Sequence, residues 1–131
     1  MKLRNKQFSQ VISKYIVMPQ HANPTGLMFG GVLIGWMDMA AAMVAEKHSG
    51  MNVATVSIEK VIFSSPIHVG DHVTISAEIS EIGNTSMKIS VSVDAESAKS
   101  GTTRKTTDAI LTFVAVDHLM RPVTIPQLIN S

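Results

Sequence analysis

A chain of 131 residues, 45% hydrophobic and 16% charged, has the make-up of one globular domain rather than a disordered tail or a coiled coil. Eleven basic against ten acidic residues leave a formal +1, too balanced for the basic footprint of a nucleic-acid binder. The absence of cysteine removes disulfide frameworks, thiolate zinc sites and cysteine nucleophiles together, and it fits a reducing cytoplasm.

At the start of the chain, Lys14 interrupts the only apolar stretch of MKLRNKQFSQVISKYIVM, so no signal-peptide core is expected. Residues 11–18 read as a first strand. A loop dense in turn residues follows, with Pro19, Asn23-Pro24, Gly26 and Gly30-Gly31. From Gly31 the sequence is rich in Leu, Met and Ala without a proline, which predicts a helix. Gly50 is its natural stop, and Lys47 and His48 suit the negative end of its dipole. The apolar tract 30–45 is shorter than the roughly 20 residues a membrane span needs, and it carries Asp38. That helix is apolar on nearly every side until Glu46, which predicts burial all round.

The rest of the chain has period two. Val73, Ile75, Ala77 and Ile79 alternate with polar residues, as do Met87, Ile89, Val91 and Val93, and Gly83-Asn84 marks the hairpin between the two runs. Residues 53–63 and 105–116 are longer and more mixed, as strands covered on both faces are. Pro66 and Gly70-Asp71 mark one loop and residues 96–103 the next turn. The expectation is a single α+β domain over 1–131, with about five largely antiparallel strands in a curved sheet wrapping one central helix. The alternative is a two-layer sandwich with the helix on one face. One small sheet cannot wrap a helix and hide both its own faces, so a symmetric homodimer is expected.

Between Lys14 and Glu46 the only residue charged at neutral pH is Asp38, in WMDMAAA near the middle of the helix. Removing a carboxylate from water costs several kcal/mol even after relaxation. Three of its four helical neighbours, Gly35, Ala41 and Ala42 but not Ile34, are small and leave room for a ligand. Asp38 is either a structural carboxylate with an unseen partner or a general base in an apolar site. The preceding loop favours the second reading. Asn23 brings both donors and an acceptor. Gly30 and Gly31 let a carbonyl oxygen approach the N–H groups of a helix start, where developing negative charge is stabilised.

The string MPQHANPTGLMFGGVLIGWMDMAAA resembles the signature of hotdog-fold acyl-CoA thioesterases, especially small bacterial enzymes of the YciA type. SSPIHVGDHVTISAEI, IGNTSMKISVSV and TDAILTFVAVD resemble later segments of that group in the same order. The resemblance implies a helix wrapped by an antiparallel sheet and a dimer with two interface sites, with a trimer of dimers as a further assembly. It implies that Asp38 is the catalytic carboxylate and that Asn23 lies in the site, the two coming from opposite subunits. Gly30 and Gly31 then offer N–H groups to the thioester carbonyl. The substrate implied is acyl-CoA, with no cofactor and no metal. Thr85, Ser86, Arg104 and Lys105 are candidate contacts for coenzyme A by family-like placement. Water attack assisted by Asp38 and direct attack by Asp38 to give an anhydride both remain open. Two other functions compete, an acyl-CoA-binding module without turnover and a hydratase or dehydratase of acyl thioesters. The second of these usually needs a histidine beside the aspartate.

Overall fold

The computed structural model describes Leu3–Arg4 and Gln10–Leu128, so both ends of the 1–131 domain reading and most of the basic lead-in lie outside the described residues. Strand β1 (Leu3–Arg4) pairs in parallel with β7 (Gln127–Leu128). The main sheet contains β2 (Gln10–Ile16), β3 (Asn52–Phe63), β4 (His72–Ile82), β5 (Ser86–Glu96) and β6 (Thr103–Val116). It is antiparallel throughout, in the order β2-β4-β5-β6-β3. Helix α1 (Gly30–Ser49) touches all five of these strands. The α+β fold with a wrapped central helix is therefore present, and the two-layer alternative is set aside.

The alternation in the sequence explains which face is buried. Val73, Ile75 and Ala77 of β4, Ile89, Val91 and Val93 of β5, and Leu111 and Phe113 of β6 point at the helix. The helix meets them with Met37, Ala40, Ala41, Val44 and Ala45. Small residues on the helix let large ones on the sheet interdigitate at close-packed density.

Gly50 ends the helix at φ 69°, its N–H donating to the Glu46 carbonyl at 2.8 Å. A side chain in this left-handed conformation costs about 1–2 kcal/mol. Gly50→Ala is therefore expected to lower stability by about that amount, read as a lower urea midpoint at fixed protein concentration. In the last turn His48 is buried, and its Nε2 donates to the Pro126 carbonyl at 2.7 Å, tying the C-terminal segment to the helix.

Two expectations about burial need correction. The helix is not covered all round, because Gly31, Gly35, Met39 and Met43 form an open face on which Met39 is 53% exposed. Strand β3 is not covered on both faces either. It is the free edge beyond β6, and Val56, Ile58, Ile62 and Phe63 are exposed along it. Hydrophobic composition shows that a surface avoids water, not whether the same chain covers it. No helix among the described residues is long and apolar enough to cross a membrane.

Candidate active site

The loop before the helix is built by its own side chains. Asn23 and Gly26 close a turn, the Gly26 N–H donating to the Asn23 carbonyl at 2.9 Å, and Gly26 supplies the required φ of 85°. The Asn23 side-chain oxygen accepts three hydrogen bonds, from the Thr25 N–H (2.9 Å), the Thr25 hydroxyl (2.6 Å) and the Leu27 N–H (3.1 Å). These bonds fix which end of the amide is oxygen. The Nδ2 group is left as a donor with no acceptor among the described residues. The loop is stitched down by Phe29 N–H to the His21 carbonyl and Met28 N–H to the Ile67 carbonyl.

Helix α1 begins without a side-chain cap and without an acidic residue in its first turn. The first N–H groups of any helix lack intrahelical partners, so those of Gly30 and Gly31 are available to an incoming oxygen. At Gly31 an added Cβ would meet nothing within 4 Å, and its φ is not positive. Neither backbone conformation nor packing within the chain demands glycine there. Its effect is to leave the approach to the N–H groups bare.

Asp38 lies on the open helix face and is half-buried. Thr55 on β3 donates its hydroxyl to Asp38 Oδ1 at 2.9 Å. Among the described residues none donates to Oδ2 and no cation pairs with the carboxylate. One oxygen is thus oriented by the protein while the other is free to accept a proton. Nothing in the sequence singles out Thr55, because a threonine among VATVSIE is ordinary strand composition. Its partner lies 17 residues away.

The candidate coenzyme A contacts fall in two separate places. Ser86 pairs with Val114 on β6, whereas Arg104 lies near the start of that strand, opposite Ala95. At roughly 3.3 Å per residue the two positions are on the order of 30 Å apart. Thr85 and Ser86 are near the Asp38 end, since the row Thr55–Phe113–Met87 is next to the row that holds Ser86. Arg104 donates through Nε to Ser65 Oγ (3.1 Å), and through one Nη to the Pro66 carbonyl (2.6 Å) and to Asp71 (2.9 Å). Asp71 also accepts the His68 N–H at 2.9 Å. Arg104 therefore pins the loop of residues 64–71. Lys105 is exposed and pairs with Asp108 at 3.0 Å.

Met37 is core, while Met39 and Met43 are exposed on the helix. Trp36 stacks on Tyr15 at 4.4 Å and meets His21 edge-on, a packing role. No group of three potential metal ligands forms among the described residues.

Comparison with known proteins agrees with this geometry. Residues 25–102 match the family model described as the thioesterase superfamily. A Zymomonas mobilis protein named as an uncharacterized acyl-CoA thioester hydrolase is 37% identical over 115 residues, spanning 88% of this chain and 77% of its own. The crystal structure of an apo-hexameric acyl-CoA thioesterase superposes with a TM-score of 0.95 at 33% identity, over 100% of this chain and 84% of the other. The Staphylococcus aureus acyl-CoA hydrolase, solved with butyryl coenzyme A, coenzyme A and coenzyme A disulfide, gives a TM-score of 0.91 at 31% identity over 98% and 79%. That enzyme has also been solved as alanine variants at an asparagine, an aspartate and a threonine. Their separations of 15 and 17 positions are those between Asn23, Asp38 and Thr55 here. With this helix, this sheet and a match over residues 25–102, the chain belongs to the thioesterase superfamily and has its hotdog fold.

Proposed function

We propose that residues 1–131 act as one hotdog domain that hydrolyses acyl-CoA to a free acid and coenzyme A, with Asp38 as the catalytic carboxylate. The observation that carries this reading is the state of Asp38. One oxygen is held by Thr55 and the other takes no hydrogen bond from any described residue, on the same open helix face as the uncapped N–H groups. The Asp38 Oδ2 takes a proton from water as the water oxygen bonds to the thioester carbon. The carbonyl oxygen, gaining charge, is held by the Gly30 and Gly31 N–H groups and by Asn23 Nδ2. The carbon–sulfur bond then breaks. The departing thiolate, with a pKa of roughly 8.5 by analogy with free cysteine, leaves without a strong acid. Attack by Asp38 itself, through an anhydride, uses the same groups.

These groups are completed by a second copy. Gly31 and Asp38 share a helix face but are seven residues apart, about 10 Å along the axis. A carbonyl held at the N–H groups is therefore out of reach of Asp38 in the same chain. A symmetric dimer places Asp38 of one protomer by the helix start of its partner. The uncovered Met39, Met43, Val56 and Ile58 supply an apolar surface for that contact. A trimer of dimers is the further assembly we propose, on the precedent of the hexameric relative. The cytoplasm is the proposed compartment, from the sequence without cysteine. Thr85, Ser86 and Lys105 are the proposed coenzyme A contacts, and Arg104 acts through the loop it pins.

The hydratase reading loses its histidine. The histidine of α1, His48, is buried and bonded to Pro126 at the end of the helix far from the first turn. The deciding assay is free-thiol release from a panel of acyl-CoAs. Steady release with coenzyme A and free acid as products is expected. A folded oligomer that binds these thioesters and releases no thiol at any chain length would instead be a binding module.

A further inference from the structure

A cavity of about 330 Å³ opens beside the helix start, between the Leu27–Phe29 segment, the first helical turn and the end of β3. Its floor is Leu33, Ile67 and Thr107, all buried, and its rim carries the exposed rings of Phe29 and Phe63. Resting on the thioesterase reading above, we propose that this cavity receives the acyl chain and that Phe63 is the residue that decides which chains enter.

The polarity of the cavity selects the acyl chain over the pantetheine arm of coenzyme A. Its walls are mainly Leu27, Met28, Phe29, Leu33, Phe63 and Ile67. Two of its hydroxyls are already engaged, since Ser65 Oγ accepts from Arg104 and the Thr107 hydroxyl bonds to Thr106. A pantetheine arm entering here would lose water from its amides with too few partners to replace it. Gly30 is part of the rim. A carbonyl on the Gly30 and Gly31 N–H groups therefore sits at the mouth, with its alkyl chain directed inward and its sulfur outward. At roughly 30 Å³ per methylene, about the share of liquid volume that one water takes, about 330 Å³ holds a medium-length chain.

Phe63 reaches this position through a β-bulge. Glu59 pairs with Ile110 and Ile62 with Asp108, so Lys60 and Val61 together oppose one residue of β6. Lys60 takes a left-handed φ of 56° to allow it. One extra residue exchanges the two faces of a strand. Beyond the bulge Phe63 pairs with Thr107, on the helix side of the sheet. The ring then lies against the helix start, where a Cβ on Gly30 would be 3.3 Å from Phe63 Cζ. The adjoining wall, residues 64–67, is held by Arg104, Ser65 and Asp71. Phe63 thus places its ring at the point where the acyl chain leaves the carbonyl.

The test compares kcat/KM for butyryl-, octanoyl- and palmitoyl-CoA in wild type, Phe63→Ala and Leu27→Trp. Burial of each methylene is worth roughly fourfold. The octanoyl-to-butyryl and palmitoyl-to-butyryl ratios should therefore rise on the order of tenfold in Phe63→Ala and fall by a similar factor in Leu27→Trp. Should Phe63→Ala fail to fold, Leu27→Trp decides alone. Ratios unchanged in folded variants overturn the pocket assignment. So does an equal rise of KM at every chain length, which would place the pantetheine arm in the cavity. Turnover with unmoved ratios sinks only this inference, whereas a wild type without turnover sinks the hydrolase reading and this one together.

Discussion

Asp38→Asn is expected to lower kcat by about 10²–10⁴-fold, the usual contribution of a positioned general base, while leaving the fold and coenzyme A binding in place. The substitution keeps the shape of the side chain and its Oδ1 acceptor, so the 2.9 Å bond from Thr55 survives. What disappears is the free carboxylate oxygen, because an amide nitrogen neither accepts a proton at neutral pH nor attacks a carbonyl. Thiol-release kinetics measure the loss, and a binding titration with coenzyme A shows that the site remains. Retention of more than about a tenth of wild-type turnover would remove Asp38 as general base. Single turnover in oxygen-labelled water then separates the two routes. Attack by water places the label in the released acid at once. Attack by Asp38, followed by hydrolysis at the aspartyl carbon, leaves it in the protein.

The sequence makes Asp38 visible because a lone charge in an apolar helix is costly wherever the helix packs. It makes the helix and strands visible for an equally local reason. Period two in residues 73–80 and 87–94 has one solution once one face is covered, and Gly50 ends the helix by its own φ of 69°. What stays hidden depends on distant pairs or on other copies. Arg104 resembles a phosphate ligand in the sequence, yet its partners Ser65, Pro66 and Asp71 are 33–39 residues away and turn it into a pin. Thr55 takes its role only when β3 lies beside the helix. The bulge at Lys60 has no glycine to announce it, and without it Phe63 would face the other side of the sheet. The exposed Met39 and Val56 look like core in the sequence and are surface in one chain, which is why composition overstated the burial of α1 and β3.

Asn23 gives the second large effect, and two substitutions assign its role. The oxygen of the side chain is already occupied by two N–H groups and a hydroxyl, so only Nδ2 remains for chemistry. Asn23→Asp keeps an acceptor for all three donors and so preserves the loop. It replaces the free donor with a negatively charged oxygen facing the place where the thioester carbonyl gains charge. A fall in kcat on the order of 10²–10³-fold is expected, as when one oxyanion donor is removed, with thermal stability close to wild type. Asn23→Ala removes the acceptor too, leaving the exposed Thr25 groups to water and the part-buried Leu27 N–H without its partner, which adds a stability loss of about 0.5–1.5 kcal/mol. If holding the turn were the whole task of Asn23, the aspartate variant would be active and only the alanine variant impaired. Thiol-release rates beside melting curves of both variants therefore separate a donor to the reacting carbonyl from a turn residue. The aspartate variant decides, because it alters the charge at Nδ2 while keeping the hydrogen bonds that shape the loop.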